Sequence, residues 1–171
     1  MEKATEQRLY DVYMKSILTK KVSLLIQEIG GNTKKNLEKK IASLIEGQCI
    51  REGFIKPNSV KIVTYSSANV SNMNNEFQVV FECMVCHPVE GMLIEAIAKT
   101  ITKAGIHAEV IDKHGVTPIT LFIARDHHNT DKYFHSVKEG DKILTRVIGI
   151  RFELYDTCIY AIADLVNPKI K

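Results

Sequence analysis

Two cysteines and a histidine stand close enough in the sequence to suggest metal or haem chemistry. Cys83 and Cys86 are separated by two residues, and His87 follows directly. This spacing occurs in haem attachment and in one half of a zinc site. Residues three apart on a strand point to opposite faces, however, and no second Cys-x-x-Cys pair exists. We therefore expect free thiols on a strand, although a bend before Pro88 would keep a metal role open.

A second set of candidate ligands is Asp126-His127-His128, with Asp131 and His135 nearby. The first three residues match the motif of a family of metal phosphoesterases. Those enzymes hold two metals and need several further aspartates for that purpose, and this chain offers no Asp-x-Asp pair. We expect a polar loop whose imidazoles face solvent or RNA, and the phosphoesterase alternative predicts metal bound at these residues.

Other catalytic signatures are missing from the sequence. It contains no Gly-x-Gly-x-x-Gly, no Walker loop and no Gly-x-Ser-x-Gly. Nothing pairs a nucleophile with a base at a recognisable spacing. The sequence therefore predicts no catalytic residue, no cofactor and no metal.

The composition is that of a folded chain of one or two domains, with 171 residues, 45% hydrophobic and 25% charged. The net charge of +3 is too mild for a polybasic clamp, so any contact with nucleic acid must come from a local patch. No apolar run reaches the length of about 18 residues that spans a membrane. The N-terminus is polar, without the apolar stretch of a secretory signal. We expect an intracellular protein without membrane contact.

The first half of the chain predicts an antiparallel sheet with one helix. Alternation at Val22, Leu24 and Ile26 indicates a strand, and two further strands are expected at residues 53–65 and 76–86. The inward side of the last strand would carry Phe77, Val79, Phe81, Cys83 and Val85. Apolar residues at helical spacing form one face of a helix that begins near Asn32 or Thr33, namely Leu37, Ile41, Leu44 and Ile45. The opposite face carries Lys34, Lys35, Lys39 and Lys40, which we interpret as solvated.

The second half predicts a five-stranded barrel of the OB type. Its strands are expected at residues 93–102, 106–111, 118–123, 142–150 and 157–165, and the one long connection follows the third strand. The fold class is therefore α+β, with an N-terminal domain at residues 1–87 and a barrel at residues 88–171.

OB barrels bind single strands on the face of their second and third strands, where aromatic rings stack on bases and cations meet phosphates. The second strand offers His107 and the third offers Phe122, which fits the surface and the core about equally well. Cations follow at the mouth of the third strand and along the fourth. The predicted RNA-binding residues are His107, Phe122, Arg125, His127, His128, Lys142, Arg146 and Arg151, and a surface position is expected for Arg125.

These segments resemble the RNA-binding barrel of ribosomal protein S-one. The resemblance is carried by Gly91-Met92-Leu93, Gly105-Ile106-His107-Ala108-Glu109-Val110, Leu121-Phe122-Ile123 and Val137-Lys138-Glu139-Gly140-Asp141-Lys142-Ile143. Nearly the whole chain is also similar to the seventh subunit of eukaryotic RNA polymerase II and to its counterpart in archaeal RNA polymerase. The motifs that carry this second resemblance are Glu46-Gly47-Gln48-Cys49, Gly53-Phe54-Ile55 and Pro88-Val89-Glu90-Gly91.

The resemblance implies a non-catalytic stalk subunit of a DNA-directed RNA polymerase. Residues 1–87 would form a tip domain that docks on the polymerase core subunits, and the barrel would contact nascent single-stranded RNA. A helical fourth-subunit-type stalk partner is implied as well. The location would be the nucleus for a cellular protein, or the cytoplasm or virion for a viral one.

Ile106 replaces a usual aromatic, Met92 replaces a frequent acid, and an insertion before the fourth barrel strand is missing. These departures favour a divergent copy, for example from a large DNA virus. The alternative function is a free-standing OB-barrel RNA-binding protein in translation or RNA turnover. The first 87 residues distinguish the two, because a docking domain should expose an apolar patch.

Overall fold

The computed structural model describes residues 11–71 and 74–167. Contacts between residues divide the chain into two compact units. The sheet unit comprises Tyr13–His87 together with Glu153–Thr157, and the barrel unit comprises residues 11–12, Pro88–Phe152 and residues 158–167. The first ten residues, which the sequence assigns to the tip domain, lie outside the described part of the chain.

The sheet unit is an antiparallel sheet covered by one helix. Its elements are β1 (Tyr13–Leu25), α1 (Thr33–Ile45), β2 (Cys49–Ile50), β3 (Gly53–Ile55), β4 (Lys61–Tyr65), β5 (Asn69–Ser71) and β6 (Asn74–Cys86). Strand β6 pairs along its whole length with β1, and its other edge pairs in turn with β3, β4 and β5. The long central strand therefore organises this unit.

The core of the sheet unit lies between α1 and the sheet. The five residues predicted to face inward on the last strand are all buried, which confirms that prediction. Leu37, Ile41 and Ile45 of α1 pack against them. Leu44 is 42% exposed and so lies at the border of the apolar face.

Two features of the sheet unit depart from the predicted strands. Ile26 is 74% exposed and begins a 3-10 turn after β1, rather than continuing the strand. The strand expected at residues 53–65 is split into β3 and β4. The Glu46 carboxylate accepts hydrogen bonds from three successive backbone N–H groups between these strands, those of Asn58, Ser59 and Val60, at 2.9–3.0 Å. A loop that turns its N–H groups toward one carboxylate cannot also pair as a strand.

The segment Glu153–Thr157 belongs to the sheet unit although it lies far along the chain. The Tyr155 N–H donates to the Cys49 carbonyl at 2.8 Å, and the Cys49 N–H donates to the Asp156 carbonyl at 2.7 Å. Tyr155 adopts a positive φ of 73°, which is uncommon for a residue other than glycine. These two hydrogen bonds hold the segment in place beside β2.

The barrel unit contains β7 (Leu93–Ile101), β8 (Gly105–Val110), β9 (Ile119–Ala124), α2 (Lys132–Ser136), β10 (Lys142–Arg151) and β11 (Ile159–Val166). The strands form a closed barrel in the order β10-β11-β9-β8-β7, and β7 pairs with β10 to close it. Strands β11 and β9 are parallel, and the other neighbours are antiparallel. The predicted α+β fold with an OB-type barrel is confirmed.

The barrel interior is filled by small and branched apolar side chains, such as Ala96, Ala108, Leu121 and Ile123, all at most 1% exposed. The buried Thr145 hydroxyl donates to the Ile94 carbonyl at 2.9 Å, so this polar group is satisfied inside the core. Within the described residues, no helix is long and apolar enough to cross a membrane.

Candidate nucleic-acid interface

His107 and Phe122 lie side by side on the outer face of the barrel. They are directly paired residues of β8 and β9, and their ring centroids are 4.9 Å apart. Phe122 is half-buried and faces outward, because its neighbours Leu121 and Ile123 fill the interior. A Cβ atom on Gly105 would lie 2.1 Å from the Ile123 carbonyl oxygen, so only glycine fits there beside the phenyl ring.

Two further outward residues extend this surface onto β11. Ile162 pairs with Phe122 and is 49% exposed, and Tyr160 is 54% exposed. We call His107, Phe122, Tyr160 and Ile162 the outer stripe. Its last two members were not predicted from the sequence, although their alternation with the buried Ile159, Ala161 and Ala163 could have shown them.

Arg125 fastens a loop rather than projecting into solvent. It is half-buried, its Nη2 donates to the Thr102 carbonyl at 2.9 Å, and its guanidinium lies 5.8 Å from the centre of the Phe134 ring. Its backbone N–H donates to the Ala104 carbonyl, also at 2.9 Å. Arg125 thus lies outside the core, but its side chain connects the turn between β7 and β8 to the end of β9 instead of extending into solvent.

His128 is also held within the barrel unit. Its side chain is only 10% exposed, its Nε2 accepts a hydrogen bond from the Leu165 N–H at 3.1 Å, and its ring stacks on Phe134 at 5.2 Å. Because Nε2 accepts, the proton of the neutral ring sits on Nδ1, which lies 3.7 Å from an Asp131 carboxylate oxygen. His128 thus joins the long connection to β11.

His127 and Arg146 lie at a polar cavity beside the barrel strands. The cavity measures about 400 Å³, and its lining includes both of these residues together with Asp164. The exposed His127 has its Nδ1 3.4 Å from Asp164 Oδ1, and Arg146 is the register partner of Asp164 on the neighbouring strand. Asp164 Oδ1 is buried without a hydrogen-bond partner. The arrangement leaves the Nε2 edge of His127 and the Arg146 guanidinium as the groups that can meet an anion.

The remaining predicted cations lie at opposite ends of β10. Arg151 is the register partner of Tyr160, next to the outer stripe. Lys142 begins the strand, and its ammonium lies 3.6 Å from a Glu95 carboxylate oxygen. The predicted residues therefore fall into two groups and one separate residue. Arg151 lies next to the outer stripe, to which His107 and Phe122 belong, and His127 and Arg146 lie around Asp164. Lys142 is apart from both groups.

The cysteines of the Cys-x-x-Cys pair are both buried, and neither forms a disulfide. Burial, reinforced by the charges of Glu52 and Glu46, raises the pKa of the Cys83 thiol to about 11. A protonated thiol is a poor metal ligand. Within the described residues, no group of three or more cysteine, histidine or carboxylate side chains could hold a metal ion.

The sheet unit exposes an apolar patch at the end of β1. Leu25, Ile26 and Val70 are 54%, 74% and 75% exposed, and they border a cavity of about 350 Å³. We call these three residues the tip patch. Neighbouring apolar side chains at such exposure are typical of a surface that meets another macromolecule.

Together these features define a protein of two units, an antiparallel sheet with one helix and an OB-type barrel with an aromatic outer surface. No family model matches the chain. A protein of Acanthamoeba polyphaga mimivirus that is named as a DNA-directed RNA polymerase subunit is 24% identical, over 91% of this chain and 83% of its own length. DNA-directed RNA polymerase II subunit 7 of Arabidopsis thaliana is 26% identical over 87% of this chain and 89% of its own.

DNA-directed RNA polymerase II subunit RPB7 of Glycine max is 22% identical, over 86% of this chain and 90% of its own length. These relatives confirm the resemblance to the seventh-subunit family that the sequence motifs indicate, and one of the relatives is viral. The similarity runs through the sheet unit as well as the barrel unit.

Proposed function

We propose that this chain is a non-catalytic stalk subunit of a DNA-directed RNA polymerase. The observation that carries the proposal is the extent of the similarity, because relatives with polymerase-subunit names match 86–91% of the chain. A free-standing barrel protein would need to resemble them only in the second half. The protein would act in the nucleus of a cell, or in the cytoplasm or virion in the case of a virus.

The sheet unit docks on the polymerase core through the tip patch. Full burial of an exposed Leu, Ile or Val side chain contributes about 1.5–3 kcal/mol to the free energy of binding. Leu25, Ile26 and Val70 lie close together around one cavity, so a single complementary surface on a core subunit can cover all three. A helical fourth-subunit-type protein is the expected second partner.

The barrel contacts nascent single-stranded RNA without sequence preference. Bases stack on Phe122 and His107, and the outer stripe offers Tyr160 as a further platform. Phosphates meet Arg146, Arg151 and the exposed His127, whereas Lys142 lies apart from them beside Glu95. Arg125 and His128 support this surface from within, because their side chains fix the turn after β7 and the long connection after β9.

Native co-purification with mass spectrometry tests the assignment. A tagged chain should recover the large polymerase subunits in fixed stoichiometry, together with a small helical subunit. Recovery of ribosomal proteins or RNA-decay enzymes instead would favour the free-standing alternative. A variant with Arg146→Gln and Phe122→Ala serves as the control, because it should still recover the polymerase core while binding RNA more weakly.

A further inference from the structure

The solvent side of α1 carries four lysines, which we call the lysine face: Lys35 and Lys39 lie one turn apart near its middle, and Lys34 and Lys40 lie toward its two edges. All four are exposed. Within the described part of the chain, none of them lies in an ion pair, in contrast to Lys15 and Lys21 of β1, which pair with Glu82 and Glu76 at 2.7 and 3.4 Å. The lysine face is therefore a concentration of positive charge that its own unit does not neutralise.

The carboxylates in and directly after α1 accept hydrogen bonds from backbone N–H groups of the sheet unit and do not neutralise the lysines. Glu38 of α1 accepts a hydrogen bond from the Ile62 N–H at 3.1 Å, so it is turned toward β4. Glu46, directly after the helix, accepts from the loop before β4. The one acid of the helix and the acid that follows it are thus both turned toward their own unit, and the outer side is left to the lysines.

The arrangement opposes the helix's own electrostatics. Lys34 and Lys35 occupy the first turn, where the helix dipole disfavours cations, and no acid stands in that turn. Lys35 and Lys39 are four residues apart, a spacing at which like charges repel. A bound anion would remove both penalties at once.

The chemistry of the face favours phosphates over an acidic protein segment. From Lys34 to Ser43, the apolar side chains Leu37, Ile41 and Ala42 are buried or packed against the core. Between Lys34 and Lys40 the face therefore lacks the aromatic or aliphatic anchors on which protein interfaces depend, and the 42% exposed Leu44 lies beyond its last lysine. The helix rises about 9 Å between Lys34 and Lys40. The ammonium groups can therefore contact more than one phosphate of a nucleic-acid backbone.

We propose that the lysine face of α1 binds the phosphodiester backbone of nucleic acid, as a contact separate from the barrel. It does not depend on RNA binding by the outer stripe. The backbone comes either from single-stranded RNA or from duplex DNA, and the two sources are distinguished by experiment.

The test measures the affinity of the full chain for a fluorescent oligouridine strand and for a DNA duplex, at 50–200 mM salt. Each phosphate contact contributes about 0.7 to the salt slope for a single strand and about 0.9 for a duplex. The variant K34Q/K35Q/K39Q/K40Q should lower the slope by up to about 2.8 for the single strand or about 3.6 for the duplex, and weaken binding at least about tenfold at 0.1 M salt. Lysine-to-arginine changes at the four positions should retain binding, because they keep the charge.

The matched control is K15Q/K20Q/K21Q/K61Q, which removes four lysines from strands of the same unit. A loss specific to the lysine face, for either nucleic acid, supports the proposal and identifies the source of the phosphates. Equal losses in both variants, or no loss in either, would overturn it. Unchanged nucleic-acid binding with loss of polymerase subunits on co-purification would also overturn it and assign the face to an acidic protein. Phe122→Ala, measured in parallel, reports on the barrel alone, so the two proposals can fail separately.

Discussion

His107 and Phe122 face each other across β8 and β9, with their ring centroids 4.9 Å apart and their planes at 46°. Cross-strand pairs of this kind stabilise a sheet by a few tenths of a kcal/mol to about 1 kcal/mol. The pair stands outside the barrel core, and because the two planes are tilted, each ring offers its own face to a base.

Phe122→Ala should weaken binding of single-stranded RNA about 5- to 150-fold, because stacking of one base on an aromatic ring contributes about 1–3 kcal/mol. The barrel should stay folded, since Phe122 lies outside its core. Fluorescence anisotropy with a labelled oligonucleotide measures the effect. Tyr65→Ala, which removes an exposed aromatic of the sheet unit, is the control and should leave the affinity unchanged. Unchanged affinity in a folded Phe122→Ala protein would remove the stacking role.

Arg146→Gln should lower the salt slope of RNA binding by about 0.7, the value for one phosphate contact on a single strand. The loss of affinity should be the same for all sequences, because a phosphate contact does not read bases. Titrations at several salt concentrations with oligouridine and oligoadenine provide the measurement. Lys99→Gln is a matched control, since Lys99 already lies 3.7 Å from a Glu109 carboxylate oxygen. A change confined to one sequence would contradict a phosphate role.

Glu46→Ala should destabilise the sheet unit by about 1–3 kcal/mol, because it leaves the N–H groups of Asn58, Ser59 and Val60 without their acceptor. Urea unfolding followed by circular dichroism measures the change in free energy. Glu90→Ala removes an exposed carboxylate near the start of the barrel unit and should be nearly neutral. Equal stability of the two variants would show that the carboxylate is not needed to hold the loop.

Burial raises the pKa of Cys83 to about 11 from an ordinary value near 9.0, so the folded protein favours the neutral thiol. The stabilising contribution is fully present below about pH 9 and is lost as the pH rises toward 11, because the unfolded chain releases the proton first. The free energy of unfolding should therefore fall by about 1–3 kcal/mol more in the native protein than in Cys83→Ala over this range. Parallel pH profiles of the two proteins would contradict the shift.

Ile26→Asp combined with Val70→Asp should abolish recovery of polymerase core subunits while leaving RNA affinity intact. A charge in the tip patch cannot be buried against an apolar surface without a large desolvation cost. Val63→Asp, at a 53% exposed position of the same unit outside the patch, is the control and should co-purify normally. Loss of core subunits in the control as well would point to general damage of the sheet unit.

Local patterns determined much of what the sequence could predict. Alternation from Phe77 to Val85 predicted the inward face of β6. The spacing of Leu37, Ile41, Leu44 and Ile45 predicted the apolar face of α1, of which all but Leu44 are buried. The split between β3 and β4 was not predictable in this way, because the Glu46 carboxylate that holds the loop lies 12 to 14 residues before it.

The same limit applies to the candidate site. Arg125 and His128 looked like exposed ligands, but their partners, Thr102 and Leu165, are 23 and 37 residues away in the sequence. The outward position of Tyr160 and Ile162 could have been predicted, because strand alternation places them on the face opposite to their buried neighbours.

The membership of Glu153–Thr157 in the sheet unit has a practical consequence for dissecting this protein. A fragment that ends at His87 would lack the segment whose backbone satisfies both the N–H and the carbonyl of Cys49. A fragment that starts at Pro88 would carry the same segment without the strand that holds it. The segment Glu153–Thr157 follows most of the barrel unit in the sequence but belongs to the sheet unit. A single cut therefore leaves each half with unpaired backbone groups. Point substitutions in the intact chain are therefore the sound way to separate the tasks of the two units.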